Sequence, residues 1–485
     1  MKTYFKPLPL LLLLGAAFAY LFYDGEIGIN ILVADGVLLV SVMGIRPQLW
    51  SWGSFRCGVV GMLISAVSLI VVNSPTGFFA HLVSFILVVG FAQSRQLRFV
   101  WYALLWGGSS LLLAGRRAWR LHESAVNEST ARTPVGNWLK TAVVPLALTA
   151  PFFALYAIGS SNFLVGIEHL VEPLQVWLGN TSLPYTVMLW CLGLLLVLPF
   201  FYTGDELSLS TRDEELDYRL QRKRKKSRQP FKATSLAAEY RRGVITLILL
   251  NALIFVVNLT DLSYLWIAPA ELSAATLSEY VHAGTDSLTL SILLAMGYVL
   301  YFFRANLNFY VQSPRLRKLT YWWLAQNAFL ALSVGLRNWY YVSAYGLAYG
   351  RIYVAILLLL ILFGLFTLFR KVKFRLSFAY LLQVNGLAVW LCLIGYGAVN
   401  WPGVITRVNL RQPADRVDWS YLIYDLDERN THLLRSGIHR LPKPLAQSLE
   451  HKRQAAARKA ATLDWRSWNY ATWRNRQPHP TLTPL

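Results

Sequence analysis

The chain has 485 residues, 46 of them lysine or arginine against 25 acidic, for a net charge of +21. Apolar residues make up 55% and charged residues 15%, where soluble domains carry about 25% charge; with a mean hydropathy of +0.41 this excludes an ordinary soluble multidomain enzyme. The apolar runs are continuous, not alternating, which excludes a membrane barrel, and many are long enough to cross the roughly 30 Å hydrocarbon core.

The expected fold is therefore all-α: a polytopic transmembrane bundle of about 12 to 13 spans, with one amphipathic interfacial segment and a polar C-terminal tail. Residues 1–114 read as N-terminal membrane helices. Leu8–Tyr23 follows Lys2 and Lys6 and lacks a small-residue cleavage site, so it is a first span and not a signal peptide. Ile27–Gly44 holds Asn30 and Asp35. Cys57–Val72 and Gly77–Ala92 are separated by Asn73, Ser74 and Pro75, a turn sequence. Phe99–Ala114 is the fifth run. Residues 115–136 read as a polar loop carrying Arg116, Arg117, Arg120 and Arg132.

Residues 137–202 return to membrane helices. Within them Asn162–Leu178 is amphipathic: Glu168 and Glu172 share a helix face with His169 beside them, read as a wetted polar face, with acid–base or metal chemistry as the alternative. Residues 203–242 form a basic loop centred on Arg222, Lys223, Arg224, Lys225 and Lys226. The positive-inside rule makes this loop cytoplasmic, and its cations suit anionic lipid headgroups. No nucleic-acid module accompanies the charge, so no nucleic-acid partner is expected.

Residues 243–399 carry the later spans. Asn251, Asn258 and Asp261 fall on one face of the Gly243–Trp266 helix, and such residues in lipid face protein or water. Leu272–Asp286 connects to the span Leu288–Phe303. Tyr321–Leu336 and Ile352–Phe369 flank Ser333–Tyr353, a stretch that puts Arg337 and Arg351 beside five tyrosines in an otherwise apolar region. The sequence predicts a turn here, with Gly346 and Gly350 supplying freedom. It also predicts that Arg337 or Arg351 contacts Asp261 or carbonyls near it, so Asn258, Asp261, Arg337, Tyr345, Arg351 and Tyr353 form a candidate polar cluster. Arg370, Lys371, Lys373 and Arg375 read as a cytoplasmic basic turn, and Phe378–Val399 as the last span. Residues 400–485 form a polar, basic tail that an odd span count makes periplasmic. Lys2, Lys6 and the loops at Arg46 and Arg95 conflict with that count in the front half, which leaves the N-terminal orientation open.

Three sets of residues carry a resemblance. They are Ser333, Arg337, Tyr345, Gly346, Leu347, Arg351 and Tyr353; then Glu279, Tyr280, Val281 and Gly284; then Asn409, Leu410, Asp418, Tyr421 and Leu422. By these the chain resembles a bacterial multi-pass membrane family known only as a domain of unknown function, most clearly from Tyr240 to Asp427. It departs from the family pattern at His282 and Ala283 and after Tyr421. The resemblance implies a bacterial inner-membrane protein and brings no established activity.

No P-loop, HExxH, GxSxG or dinucleotide fingerprint is present. Cys57, Cys191 and Cys392 stand apart without metal spacing, so neither a disulfide frame, a metal nor another cofactor is expected. The first reading is a non-enzymatic membrane protein in envelope homeostasis, signalling or scaffolding, with a membrane or periplasmic protein as an open partner. A secondary transporter of a small solute is the alternative, from Asp35, Asn251, Asn258, Asp261 and Asn385 inside spans. A membrane-embedded glycosyl or lipid transferase is the second alternative, from Asp24 and Glu26 in an early loop.

Overall fold

Away from water a segment must satisfy its own backbone hydrogen bonds, and the apolar runs do so as α-helices. A computed structural model describes residues 8–126, 182–205, 207–220, 233–267, 274–303, 306–310, 313–434 and 443–476. Among these no strand forms beyond a single bridge between Arg219 and Leu376. Among the described residues four helices are long and apolar enough to cross a membrane: Gly53–Val72, Ala237–Ile267, Tyr349–Phe374 and Phe378–Gly397. Shorter apolar helices accompany them at Pro9–Phe22, Ile29–Ile45, Pro75–Phe91, Tyr185–Phe201 and Ser287–Phe302. The chain divides into two compact units.

The first unit comprises Met1–Glu214, Leu393–Ala398 and Lys459–Leu485. Its helices are α1 (Leu8–Phe22), α2 (Ile29–Ile45), α3 (Gly53–Val72), α4 (Pro75–Phe91), α5 (Val100–Val126), α6 (Ser182–Phe201) and the short α7 (Leu209–Glu214). Helix α3 shows how the pattern sorts: Val59, Met62, Ala66 and Leu69 are buried, while Val60, Ile64, Val67 and Val71 form an exposed apolar stripe. Apolar side chains on both faces are the mark of a helix bounded by protein on one side and lipid on the other. The α3–α4 turn is as expected. Asn73 takes the left-handed conformation, and Ser74 caps α4 by accepting from Gly77 N at 2.9 Å, with Pro75 at the first position.

At one end of this unit Arg46 donates to the Phe200 and Ala92 carbonyls, both at 2.9 Å, so the C-terminal ends of α2, α4 and α6 gather there. At the other end a tail segment closes on α2. Ile29 N donates to Trp468 O and Asn30 N to Arg466 O, both at 2.9 Å, which satisfies N–H groups that a helix start leaves unpaired. Gly28 permits this approach, because a Cβ there would collide with the Ser467 and Trp468 backbone. Arg466 also bonds the Tyr20 carbonyl, and Lys459 pairs with Glu26 at 3.3 Å.

The second unit comprises Glu215–Cys392 and Val399–Arg458. It holds α8 (Ala233–Asp261), α9 (Ala274–Phe302), α10 (Ser313–Tyr345), α11 (Tyr349–Phe374), most of α12 (Phe378–Gly397), α13 (Trp401–Asn409), the single turn α14 (Thr431–Leu434) and most of α15 (Lys443–Thr462); a last helix, α16 (Tyr470–Arg476), belongs to the first unit. On α8, Tyr240, Leu247 and Ile254 recur every seven residues in the core, joined by Ile292, Val299, Trp323 and Leu330 of the neighbouring helices. The opposite face exposes Ile245, Leu249, Leu253 and Val256.

Several expectations are corrected. The stretch Ser333–Tyr353 is not a loop: α10 runs unbroken to Tyr345, and the turn is confined to 346–348, because Arg337 is held inside the bundle and needs no exit to water. Leu272–Asp286 is not a connector, since α9 begins at Ala274. Helix α5 continues to Val126 through half of the expected 115–136 loop; buried Arg117 is bonded to Ser110 and to the Tyr202 carbonyl. Lys371 is not on a solvated basic turn. It is buried and donates to the Phe303 and Leu376 carbonyls, both at 3.1 Å. The amphipathic segment with Glu168, His169 and Glu172, and the run Arg222–Lys226, lie outside the described residues.

Candidate functional site

The polar face of α8 packs on α10 as a ladder of hydrogen bonds. Gln326 Nε2 donates to Asn251 Oδ1 at 2.7 Å, and Asn251 in turn donates to Leu319 O at 3.2 Å. Two turns on, Asn258 donates to Gln326 O at 3.1 Å. The helix then reaches Asp261, whose carboxylate pairs with the Arg337 guanidinium; both residues are buried. Immediately beyond, Leu262–Ile267 widens to a π-helix, and Trp266 Nε1 donates to Ser333 Oγ at 3.1 Å. A π-bulge re-aims the side chains that follow it, and here it brings Trp266 onto α10. In lipid such bonds hold helices together where the hydrophobic effect does not act between them.

The turn between α10 and α11 is held by a second set of bonds. Gly346 lies at φ +79° and its N–H returns to Val342 O at 2.8 Å, the left-handed close of a helix. Asn409, buried at the end of α13, reads this turn on both sides: its Oδ1 accepts from Leu347 N at 2.6 Å and its Nδ2 donates to Leu347 O at 2.9 Å. Arg351 supplies the cation that a helix C-terminus favours, donating to the Tyr345 carbonyl at 2.9 Å and to the Gly346 carbonyl, with its guanidinium 4.2 Å from the Tyr341 ring centre. Asn338 Nδ2 bonds the Arg351 carbonyl at 3.0 Å. Tyr349 N donates to the Tyr421 hydroxyl at 3.1 Å.

Tyr421 itself opens a short π-helical turn, Tyr421–Asp425, whose start is fixed by Asp418 Oδ1 accepting from Tyr421 N at 3.0 Å. The end of that turn is held by Lys452, which donates to Ile423 O at 2.8 Å and Leu426 O at 2.6 Å. Burial pushes the Lys452 ammonium down to about 8 against the upward pull of Asp427 and Glu428.

The candidate residues thus divide. Asn258, Asp261 and Arg337 meet in the ladder. Arg351, Asn409 and Tyr421 meet at the turn, where two of the three motif sets converge. Asp418 is exposed, and its carboxylate accepts from Tyr421 N. Tyr345 is 41% exposed and contributes its carbonyl, and Tyr353, 64% exposed, points out of the cluster altogether. Arg351 does not reach Asp261 in place of Arg337. Glu279, Tyr280 and Gly284 lie on α9, and their side chains fall outside the described residues.

The family model for a domain of unknown function, DUF4153, matches residues 36–436. The chain belongs to this family. The matched stretch contains both the ladder and the clasp on the Gly346 turn. No curated protein and no solved structure matches the chain.

A second buried polar pair stands in the first unit. Asp35 of α2 and His81 of α4 are both buried, with Oδ1 and Nε2 3.7 Å apart. Asp35 was legible as an acid inside an apolar run. His81 carried no local signal, because what singles it out is a partner 46 positions away in the chain.

Proposed function

We propose that this DUF4153 protein is a non-enzymatic, multi-pass protein of a bacterial inner membrane, serving envelope homeostasis, signalling or scaffolding. The observation that carries this reading is the use made of the cluster's two cations: Arg337 is spent on Asp261, and Arg351 on two helix-end carbonyls. Of the five in-span residues that suggested transport, all but Asp35 bond neighbouring helices of the same unit: Asn251, Asn258, Asp261 and Asn385. They act as glue, as polar side chains between membrane helices do.

The paired replacement of Arg337→Met with Asp261→Leu tests it. A buried ion pair exchanged for apolar side chains of similar volume is often tolerated, so the double variant is expected to fold and to complement a deletion strain. Folding without complementation would show that the pair works on a substrate and would overturn the reading.

In the proposed orientation the N-terminus and residues 203–242 are cytoplasmic and the tail periplasmic. Support comes from the two ends of the first unit. Arg46, Arg95 and Arg98 lie where α2 and α4 finish and where the chain enters the 203–242 segment, the end that the positive-inside rule assigns to the cytoplasm. Tail residues Arg466–Trp468 lie at the start of α2, the opposite end. This arrangement also suits Lys2 and Lys6. In it Arg222–Lys226 meet anionic headgroups of the inner leaflet. Alkaline phosphatase fused after Leu485 is expected to be active, and fused within 203–242 inactive; the reverse pattern overturns the orientation.

A further inference from the structure

Between α1, α2, α4 and α6 the first unit encloses a cavity of about 440 Å³, within the range of small-molecule sites, about 300–1,000 Å³. Its walls are apolar, built by Phe18, Leu21, Phe85 and Leu189. Its rim includes Phe78, Leu82 and Tyr185, which are exposed on the outer face of the helices. An opening edged by such side chains faces hydrocarbon when the unit lies in a bilayer. Besides Tyr185 on the rim, two titratable side chains line the cavity, Asp35 and His81, 4% and 6% exposed.

The hydrogen-bond inventory of this pair is lopsided. Ser65 Oγ donates to Met62 O at 2.7 Å, so its one proton is committed. Toward His81 Nδ1, at 3.3 Å, Ser65 acts as acceptor, and Met62 O lies 3.4 Å from the same nitrogen. These partners place the ring proton on Nδ1 and leave Nε2 as an acceptor turned to the cavity side. There it faces Asp35 Oδ1 at 3.7 Å, beyond hydrogen-bond reach. Asp35 Oδ2 is buried with no partner. Asp35 Oδ1 and His81 Nε2 thus face each other as acceptors with no donor between them, beside a buried Asp35 Oδ2 that has no partner, at the polar spot of an apolar cavity. Ser65 is not a nucleophile in waiting, being 1% exposed and absent from the lining.

We propose that this cavity binds a single-chain lipophilic amine taken from the bilayer. The ammonium brings three donors and one positive charge to Asp35 and His81, and the chain lies among Phe18, Phe85 and Leu189. The proposal rests on the membrane reading above and adds a ligand class and a site to it. An ammonium fits better than a hydroxyl, which has one donor for the two facing acceptors and no charge to offset the carboxylate.

The test uses the full chain in phosphatidylcholine nanodiscs with photoactivatable dodecylamine, dodecanol and dodecane, and maps the labelled peptides by mass spectrometry. Dodecylamine is expected to label α1, α2, α4 and α6 around the cavity, and excess unlabelled dodecylamine to suppress this. Asp35→Leu should lower that labelling about tenfold, the value of one charge-assisted hydrogen bond. Asp35→Asn, which keeps the shape, should lower it less. Ala34→Phe, which narrows the cavity from another position, should also lower it. Dodecane should label the exposed stripe of α3 equally in every variant. Cavity labelling by dodecane or dodecanol equal to that by dodecylamine, or dodecylamine labelling unchanged in Asp35→Leu, overturns the proposal while leaving the membrane reading intact. Absence of dodecane label on the α3 stripe would instead sink the membrane reading, and this site with it.

Discussion

Two aspartates in the chain are buried to the same degree, Asp35 at 4% and Asp261 at 5% exposure, and their surroundings are opposite. Asp261 ends a polar seam and is gripped by a guanidinium from the facing helix. Both leave Oδ2 buried without a partner, but Asp35 has no guanidinium on its other oxygen: it stands on an apolar cavity with a histidine out of bonding range. The energetic consequences follow from what each carboxylate touches. A buried charge with its counterion in the same fold is a structural element, and removing one half strands the other. A buried charge without one is a cost to the fold.

The sharpest way to break this contrast is single substitution at the seam. Asp261→Leu removes the carboxylate that offsets the buried Arg337 guanidinium and should destabilise the second unit by about 3–5 kcal/mol, with the companion Arg337→Met recovering most of that loss. Denaturation in mixed micelles reads both numbers, and a double variant as unstable as the single one would deny the coupling. Next in size is Gly346→Ala, expected to cost about 2 kcal/mol. The left-handed backbone at φ +79° penalises any Cβ, and one placed there would stand 2.6 Å from Asn409 Oδ1.

At Asp35 the expectation reverses. Asp35→Leu should leave thermal stability within about 1 kcal/mol of the parent, or raise it, because the oxygen removed makes no bond to lose. A loss as large as that of Asp261→Leu would erase the distinction between the two sites. A further effect is one of pH, confined to alkaline solution. The Lys452 ammonium is held near 8 in the fold against an ordinary 10.5. Below pH about 8 both states are protonated and the burial cost is fully present. Between about 8 and 10.5 the unfolded chain keeps a proton that the folded chain has released, so stability rises with pH. Lys452→Met should flatten that slope.

The bundle was legible because lipid-length apolar runs leave helix as the only outcome, and the face shared by Asn251, Asn258 and Asp261 was legible from helical spacing alone. Arg337 was expected against Asp261 and stands there, although its place inside an unbroken helix was misread as a loop. Charge and tyrosine content resemble an interfacial turn, and only the contact with α8 shows that the arginine need not reach water. The buried role of Lys371 was hidden for a similar reason: a lysine in a basic run reads as solvated until the carbonyls of two helix ends are seen around it. The cavity was out of reach, because its lining comes from four separate helices and its histidine is defined by a distant partner.

The strap at Arg466–Trp468 has a consequence for how the protein is made. The start of α2 is translated early, and the carbonyls that complete it arrive more than four hundred residues later. At about 5–20 residues per second the interval is tens of seconds. Throughout that time Ile29 N and Asn30 N must rest on water, headgroups or the insertion machinery. Gly25 and Ile27, which border the cavity, sit beside this unfinished helix start. A nascent chain therefore carries the cavity's four helices well before its edge is set, and ribosome stalling or proteolysis ahead of Asp464 would release a protein that is inserted but not finished.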